Sequence, residues 1–177
     1  MPTAAWGYTI KPMKIAISTD HTGFEHVKHL KEFLEAKGHE CQDFGPASFD
    51  EADDYPDFIF PAAQAVAKGD CEVGIILGGS GQGEAMAANR IKGVRCTLFY
   101  GPVTAKTAVD AEGNVSDDPY EILKLSRQHN HANMLSLSAR FLTIDETKKA
   151  IETWLSTPYS TEERHARRVK KLDEFST

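Results

Sequence analysis

The chain of 177 residues is poor in cysteine, has no long apolar run and carries no excess of positive charge. Its three cysteines, Cys41, Cys71 and Cys96, are odd in number, far apart and nowhere spaced as CxxC. They read as small buried residues of a protein in a reducing, cytoplasmic compartment rather than as a disulfide framework. No stretch approaches the length of a membrane span, and residues 1–12 (MPTAAWGYTIKP) lack the charged start and apolar core of a signal peptide. They read as a short extension ahead of the first strand. With 26 acidic against 20 basic side chains, the net charge of −6 argues against a nucleic-acid surface, so any attraction for anions has to be local. No group of His, Cys, Asp and Glu has metal-ligand spacing. The length suits a single domain with a real core, from residue 13 to residue 177.

What the chain does have is one glycine-rich stretch, Gly74-Ile75-Ile76-Leu77-Gly78-Gly79-Ser80-Gly81-Gln82-Gly83-Glu84, where an apolar run stops and then turns helical. Glycines at 78, 79, 81 and 83 free the backbone for positive φ, so successive N–H groups can point into one concavity, and the helix starting near Glu84 adds its positive end. Such a loop holds an anion or a developing oxyanion. As a nucleotide fingerprint it fails: Gly79, Gly81 and Gly83 give GxGxG rather than GxGxxG, and no Lys-Ser/Thr pair follows. On spacing alone, a loop that merely lets helix and sheet pack closely remains an alternative.

Around this loop, strand-type and helix-type periodicity alternate. Strands are expected at 13–18, 39–44, 73–77, 94–100 and 134–137, and helices over 24–37, 58–68, 84–89, 120–129, 145–155 and 162–175. Gly38 stands where it would stop the first helix and Pro56 where it would open the second. Residues 101–119 carry Asp110, Glu112, Asp117 and Asp118 with little apolar patterning and read as a surface insertion; the acidic stretch 45–55 reads as a solvated loop. The alternation predicts an α/β fold with a doubly wound, five-stranded parallel sheet flanked by helices in three layers. Loops after the strands then meet on one edge, which brings Asp20-His21, the 78–83 loop, Tyr100 and Arg140 into one neighbourhood.

Each candidate has an ordinary explanation beside the chemical one. Glu84 complements a helix dipole, but beside Ser80 and a nest of N–H donors it also completes the set that removes a proton next to a carbonyl and holds the enediolate. Asp20-His21 is equally an N-cap pair and a proton-transfer pair. His129 is a solvated helix cap or, with Asn130, a contact for sugar hydroxyls. Arg164 and Arg168 form a charged helix face, yet their spacing of four lets two guanidinium groups take one phosphate.

Taken together, Asp20-His21-Thr22-Gly23, Asp54-Tyr55-Pro56, the loop Gly78 to Gly83 with Ala87-Ala88-Asn89-Arg90, Gly93-Val94-Arg95, Ser126-Arg127-Gln128-His129-Asn130, Ala132-Asn133, Arg140 and Arg164-His165 with Arg168 resemble the type B ribose-5-phosphate isomerases and the related galactose-6-phosphate isomerase subunits. The resemblance runs from Lys14 to about Val169. It implies a Rossmann-like homodimer that interconverts an aldose phosphate and a ketose phosphate without metal or organic cofactor. Many members use as base a cysteine two residues before the loop hydroxyl, and that position is Gly78 here. The chain is similar instead to the branch that uses a glutamate after the loop, with Glu84 as base and Ser80 as hydroxyl. By the same resemblance, Asp20 and His129 would assist ring opening, while the N–H groups of the Gly79, Gly81 and Gly83 loop would stabilise the enediolate. Asn130 and Tyr55 would position the sugar, and His21, Arg140, Arg164 and Arg168 would hold the phosphate. Family sites lie at the dimer interface, so some of these residues would come from the partner chain. Ribose 5-phosphate is the expected substrate, a six-carbon sugar phosphate of the allose or galactose 6-phosphate type the alternative, and a non-catalytic sugar-phosphate binder a third reading.

Overall fold

The computed structural model describes residues 11–175. The extension expected over residues 1–12 lies outside them except for its last two residues. The order is β1 (Lys14–Thr19), α1 (Phe24–Ala36), β2 (Glu40–Asp43), α2 (Tyr55–Lys68), β3 (Val73–Gly78), α3 (Gln82–Ala88), β4 (Cys96–Phe99), α4 (Glu121–Asn130), β5 (Met134–Ser138), α5 (Ile144–Ser156) and α6 (Glu163–Glu174), with a single 3₁₀ turn, His21–Gly23, between β1 and α1.

The five strands form one sheet in the order β2-β1-β3-β5-β4, every neighbouring pair parallel. Alternate side chains on each strand enter different cores. Ile15, Ile17, Ile75, Leu77, Leu135 and Leu137 pack under Val27, Leu30 and Leu34 of α1, Leu123 of α4 and Trp154 of α5. Ala16, Ile76 and Met134 face Ile59, Ala62 and Ala63 of α2 and Ala87 and Ala88 of α3. The result is the three-layer α/β arrangement expected, because strands apolar on both faces require helices on both sides. Small residues on α2 and α3 keep that layer close to the sheet, whereas Trp154 fills the other, fully buried.

The ends of the elements follow ordinary chemistry. Thr143 and Glu146 form a reciprocal capping box at the start of α5. Gly69, at φ 80°, closes α2. The 101–119 segment contains no helix or strand but is tied down. Val103 N–H donates to Pro119 O at 2.9 Å, closing its ends, and the Asp110 carboxylate accepts from Asn114 Nδ2 at 2.6 Å and from the Asn114 and Glu112 N–H groups. Those bonds, led by the Asn114 side chain, hold the Asp110 carboxyl below its ordinary range.

The chain leaves β1 for β2 on one side and returns for β3 on the other, so the carboxyl ends of β1 and β3 are the topological switch point of the sheet. The residues that follow those two strands are Asp20-His21 and the glycine loop.

Candidate active site

The glycine loop is anchored to β5 by its carbonyls. Ala139 N–H donates to Gly78 O at 2.8 Å, Ser138 Oγ to Gly79 O at 2.7 Å and Ser136 Oγ to Gly81 O at 2.6 Å. A trans peptide points its N–H opposite to its C=O, so the N–H groups of Gly79 and Ser80 turn away from β5 into the cleft. Gly81 sits at φ 76°, and a Cβ there would stand 2.9 Å from Leu137 O, so both conformation and space demand glycine. Ser80 is half-buried in the loop, its Oγ accepting from Gln82 N–H at 3.3 Å.

Glu84 lies in the first turn of α3 and is 5% exposed. Its carboxyl group folds back over the Cα of Gly78, in the space that any side chain at position 78 would need. Burial holds its carboxyl group protonated to a higher pH than an ordinary carboxylate, opposed by its own backbone N–H and aided by the negative charge of Asp20. A carboxylate raised in this way is a better proton acceptor near neutral pH than an exposed one.

Asp20, 6% exposed, follows β1 and takes Thr22 N–H at 2.9 Å and Thr22 Oγ1 at 2.5 Å on one oxygen, so it caps the 3₁₀ turn rather than α1, whose N-cap is Gly23, and its other oxygen is left for chemistry. His21 Nδ1 is 2.7 Å from Asp53 Oδ1 and 3.9 Å from Asp20 Oδ2. The Arg140 guanidinium covers Gly79 and the Tyr55 ring covers Gly83; a Cβ at these glycines would stand 3.2 Å from Arg140 Cζ and 2.8 Å from Tyr55 Cζ. One cleft therefore collects Asp20, His21, Tyr55, Gly79, Ser80, Gly81, Gly83, Glu84 and Arg140. Among the described residues, Asp20, His21 and Asp53 are the one group of metal-capable side chains with donor atoms within 4.8 Å of one another. Hydrogen bonds already engage His21 Nδ1 and one oxygen of each carboxylate.

The remaining candidates lie elsewhere. His129 and Asn130 end α4, four residues before β5 begins, and therefore sit at the amino-end edge of the sheet, opposite to Glu84. His129 stacks on His165 with ring centroids 4.1 Å apart and planes 5° from parallel. Arg164 Nε lies 3.3 Å from His165 Nε2 and 2.7 Å from Glu162 Oε2, and Arg164 and Arg168 both bear electrostatically on His165. His165, 4% exposed, resists charging first because it is buried and then because of His129 and Arg164. Asn130 faces an open groove of about 780 Å³ shared with Asn89, Arg90, Arg95 and Asp173, which includes none of the Glu84 cleft. Within one chain the two groups of candidates thus lie at opposite edges of the sheet. Tyr100, expected beside the glycine loop, is 57% exposed.

Sequence reading overlooks Asp53, which sits in an acidic stretch resembling solvent-facing loop, and the two loop anchors Ser136 and Ser138, hidden in an apolar strand. It also overlooks His165 as the partner of His129, although the i to i+1 neighbour of a phosphate-type arginine was a signal. The three thiols are held protonated by burial, Cys41 up to about 11, and the negative charge of Glu84 adds to the effect at Cys96.

An N–H nest after a parallel strand, a buried carboxylate folded over it and a cationic rim define a class: a doubly wound α/β protein with an acid–base site for a small anionic substrate. Within that class the chain belongs to the Ribose/Galactose Isomerase family, whose model matches residues 15–115 and 117–172. It is 34% identical over 163 residues to ribose-5-phosphate isomerase B of Mycolicibacterium paratuberculosis, covering 92% of this chain and 91% of that one. The structure of Clostridium thermocellum ribose-5-phosphate isomerase B superposes with a TM-score of 0.77 at 34% identity, covering 92% and 96%. That of the Mycoplasma genitalium ribose-5-phosphate isomerase B, with bound ribulose 5-phosphate, gives 0.76 at 37% identity, covering 90% and 93%.

Proposed function

We propose that the chain is an aldose–ketose isomerase that interconverts D-ribose 5-phosphate and D-ribulose 5-phosphate through an enediolate. The observation that carries this reading is the Glu84 carboxylate folded over Gly78 beside the loop N–H groups, a base and an oxyanion holder in one cleft. Glu84 takes the proton from C2 of the open-chain aldose, the N–H groups of the glycine loop and the Ser80 hydroxyl hold the enediolate oxygens, and Glu84 returns the proton to C1 as the O2 proton passes to O1. No atom is gained or lost. His21 and Arg140 lie on the rim of this cleft and hold the phosphate from this side, and Tyr55 positions the sugar.

The ring-opening partner His129, the sugar contact Asn130 and the phosphate ligands Arg164 and Arg168 belong to the other half-site, so the complete site needs a second copy. A two-fold homodimer places the amino-end half-site of one chain over the Glu84 cleft of its partner, and each dimer then has two composite sites. Three free thiols suit a reducing, cytoplasmic setting. Among the described residues no helix is long and apolar enough to cross a membrane.

The test is turnover of ribose 5-phosphate beside allose 6-phosphate and galactose 6-phosphate. Highest kcat/KM on ribose 5-phosphate is expected. Turnover of only the six-carbon substrates would move the assignment to them, and turnover of none would leave the binder reading.

A further inference from the structure

Asp53 stands in the acidic stretch between β2 and α2, yet its side chain is only 8% exposed. Its Oδ1 accepts twice from one residue: the His21 backbone N–H at 3.2 Å and the His21 ring Nδ1 at 2.7 Å. Its Oδ2 is buried and has no hydrogen-bond partner among the described residues. Burying a carboxylate this way is costly, and its return is a ring fixed in one orientation and one tautomer. With Nδ1–H given to Asp53, Nε2 is the nitrogen left for a ligand, and the His21 side chain remains 26% exposed to receive one.

We propose that Asp53 is a positioning residue for the phosphate subsite: it holds the His21 ring through Nδ1, so that His21 Nε2 and Arg140 together clamp the substrate phosphate. The proposal rests on the sugar-phosphate reading above. The charged groups facing His21 come from three elements: Asp53 ahead of α2, Asp20 at the end of β1 and Arg140 after β5. The Phe49 ring meets the imidazole edge-on at 6.3 Å. The hydrogen bond that His21 donates to Asp53 is the largest influence and raises the proton affinity of His21; desolvation opposes it, the negative charges of Asp20 and Asp53 assist and Arg140 opposes. The same logic orients catalytic imidazoles through a buried aspartate elsewhere.

Asp53→Asn tests this without removing the backbone contact, since the amide oxygen still accepts from the His21 N–H. Two readouts are needed. By NMR, the His21 ring should titrate above the ordinary imidazole range in the wild type and move down in Asp53→Asn. The affinity for inorganic sulfate, whose charge is constant over that range, should fall roughly tenfold for each pH unit by which the midpoint moves down, measured where the ring is neutral. In the isomerase assay the variant should raise KM with kcat nearly unchanged, its kcat/KM should fall off at lower pH than that of the wild type, and adding His21→Gln should bring little further loss. An unmoved His21 titration, an unchanged sulfate affinity, or losses that add fully in the double variant would each overturn the proposal. If the wild type turns over no ribose 5-phosphate while the NMR and sulfate results hold, the substrate assignment fails and the role of Asp53 stands.

Discussion

The Glu84 carboxyl group occupies the space in which a side chain on Gly78 would lie. The two positions are coupled: a chain that carries its base on α3 must have glycine at the end of β3, and a chain with a side chain at 78 has no room for this glutamate. Gly78→Cys should therefore abolish turnover and lower the melting temperature. Adding Glu84→Ala should restore the melting temperature, because the overlap is gone. Equal stability of Gly78→Cys and wild type would show that Glu84 swings clear.

Glu84→Gln keeps the shape and removes the base. Turnover should drop by about 10²–10⁴-fold, the usual scale of general acid–base catalysis, while KM changes little. Steady-state kinetics with a circular-dichroism check on folding measures both.

Because burial holds the Glu84 carboxyl group protonated to a higher pH than an ordinary carboxylate, pH acts on activity and stability in opposite senses. The reaction needs the carboxylate, so kcat/KM should decline on acidification at a pH above the ordinary carboxylate range. Folding favours the neutral acid, so the stabilising contribution is fully present below the unfolded-state value and is lost as pH rises through the raised folded-state value. Glu84→Gln should consequently melt higher than the wild type at neutral pH, and the advantage should disappear in acid. A variant that melts lower at neutral pH would contradict the raised value.

Much of this was legible in the chain. The short apolar runs in Lys14–Thr19 and Val73–Gly78 and the helical spacing of Val27, Leu30 and Leu34 define the sheet and its cover, because local pattern and burial agree. The glycine loop, Glu84 and Asp20 are also readable, since their position after strands is enough to place them on one edge. Sheet order was not readable: β5 enters between β3 and β4, a tertiary choice that no local pattern encodes. Nor was Asp53, because a buried acid and a solvated acid look alike until its distance to His21 is known. The separation of His129 from Glu84 follows from which end of β5 each approaches, and that required the fold.

Arg127 is the structural counterpart to the site. It is 7% exposed, lies over the rings of Trp154 and Tyr159 at 4.6 and 4.2 Å, and donates to Ala132 O at 2.7 Å and to Thr157 O at 3.2 Å. Arg127→Met should cost about 2–4 kcal/mol in denaturant unfolding, since two carbonyls lose their donor and the stack is lost. A change under about 0.5 kcal/mol, the scale of ordinary surface substitutions, would contradict that.

Two inactive variants should complement. In a mixture refolded from equal Glu84→Gln and His129→Ala chains, half of the dimers are mixed and each has one intact composite site, so about a quarter of wild-type activity should return. No recovery would place both residues in the same chain's site.

The central claim is tested most directly by measuring conversion of ribose 5-phosphate to ribulose 5-phosphate by the wild type and Glu84→Gln, with a chelator present throughout. The account predicts turnover by the wild type that chelator does not affect and a loss of at least about a hundredfold in the variant. Full activity in Glu84→Gln, or wild-type activity that chelator removes, would contradict it.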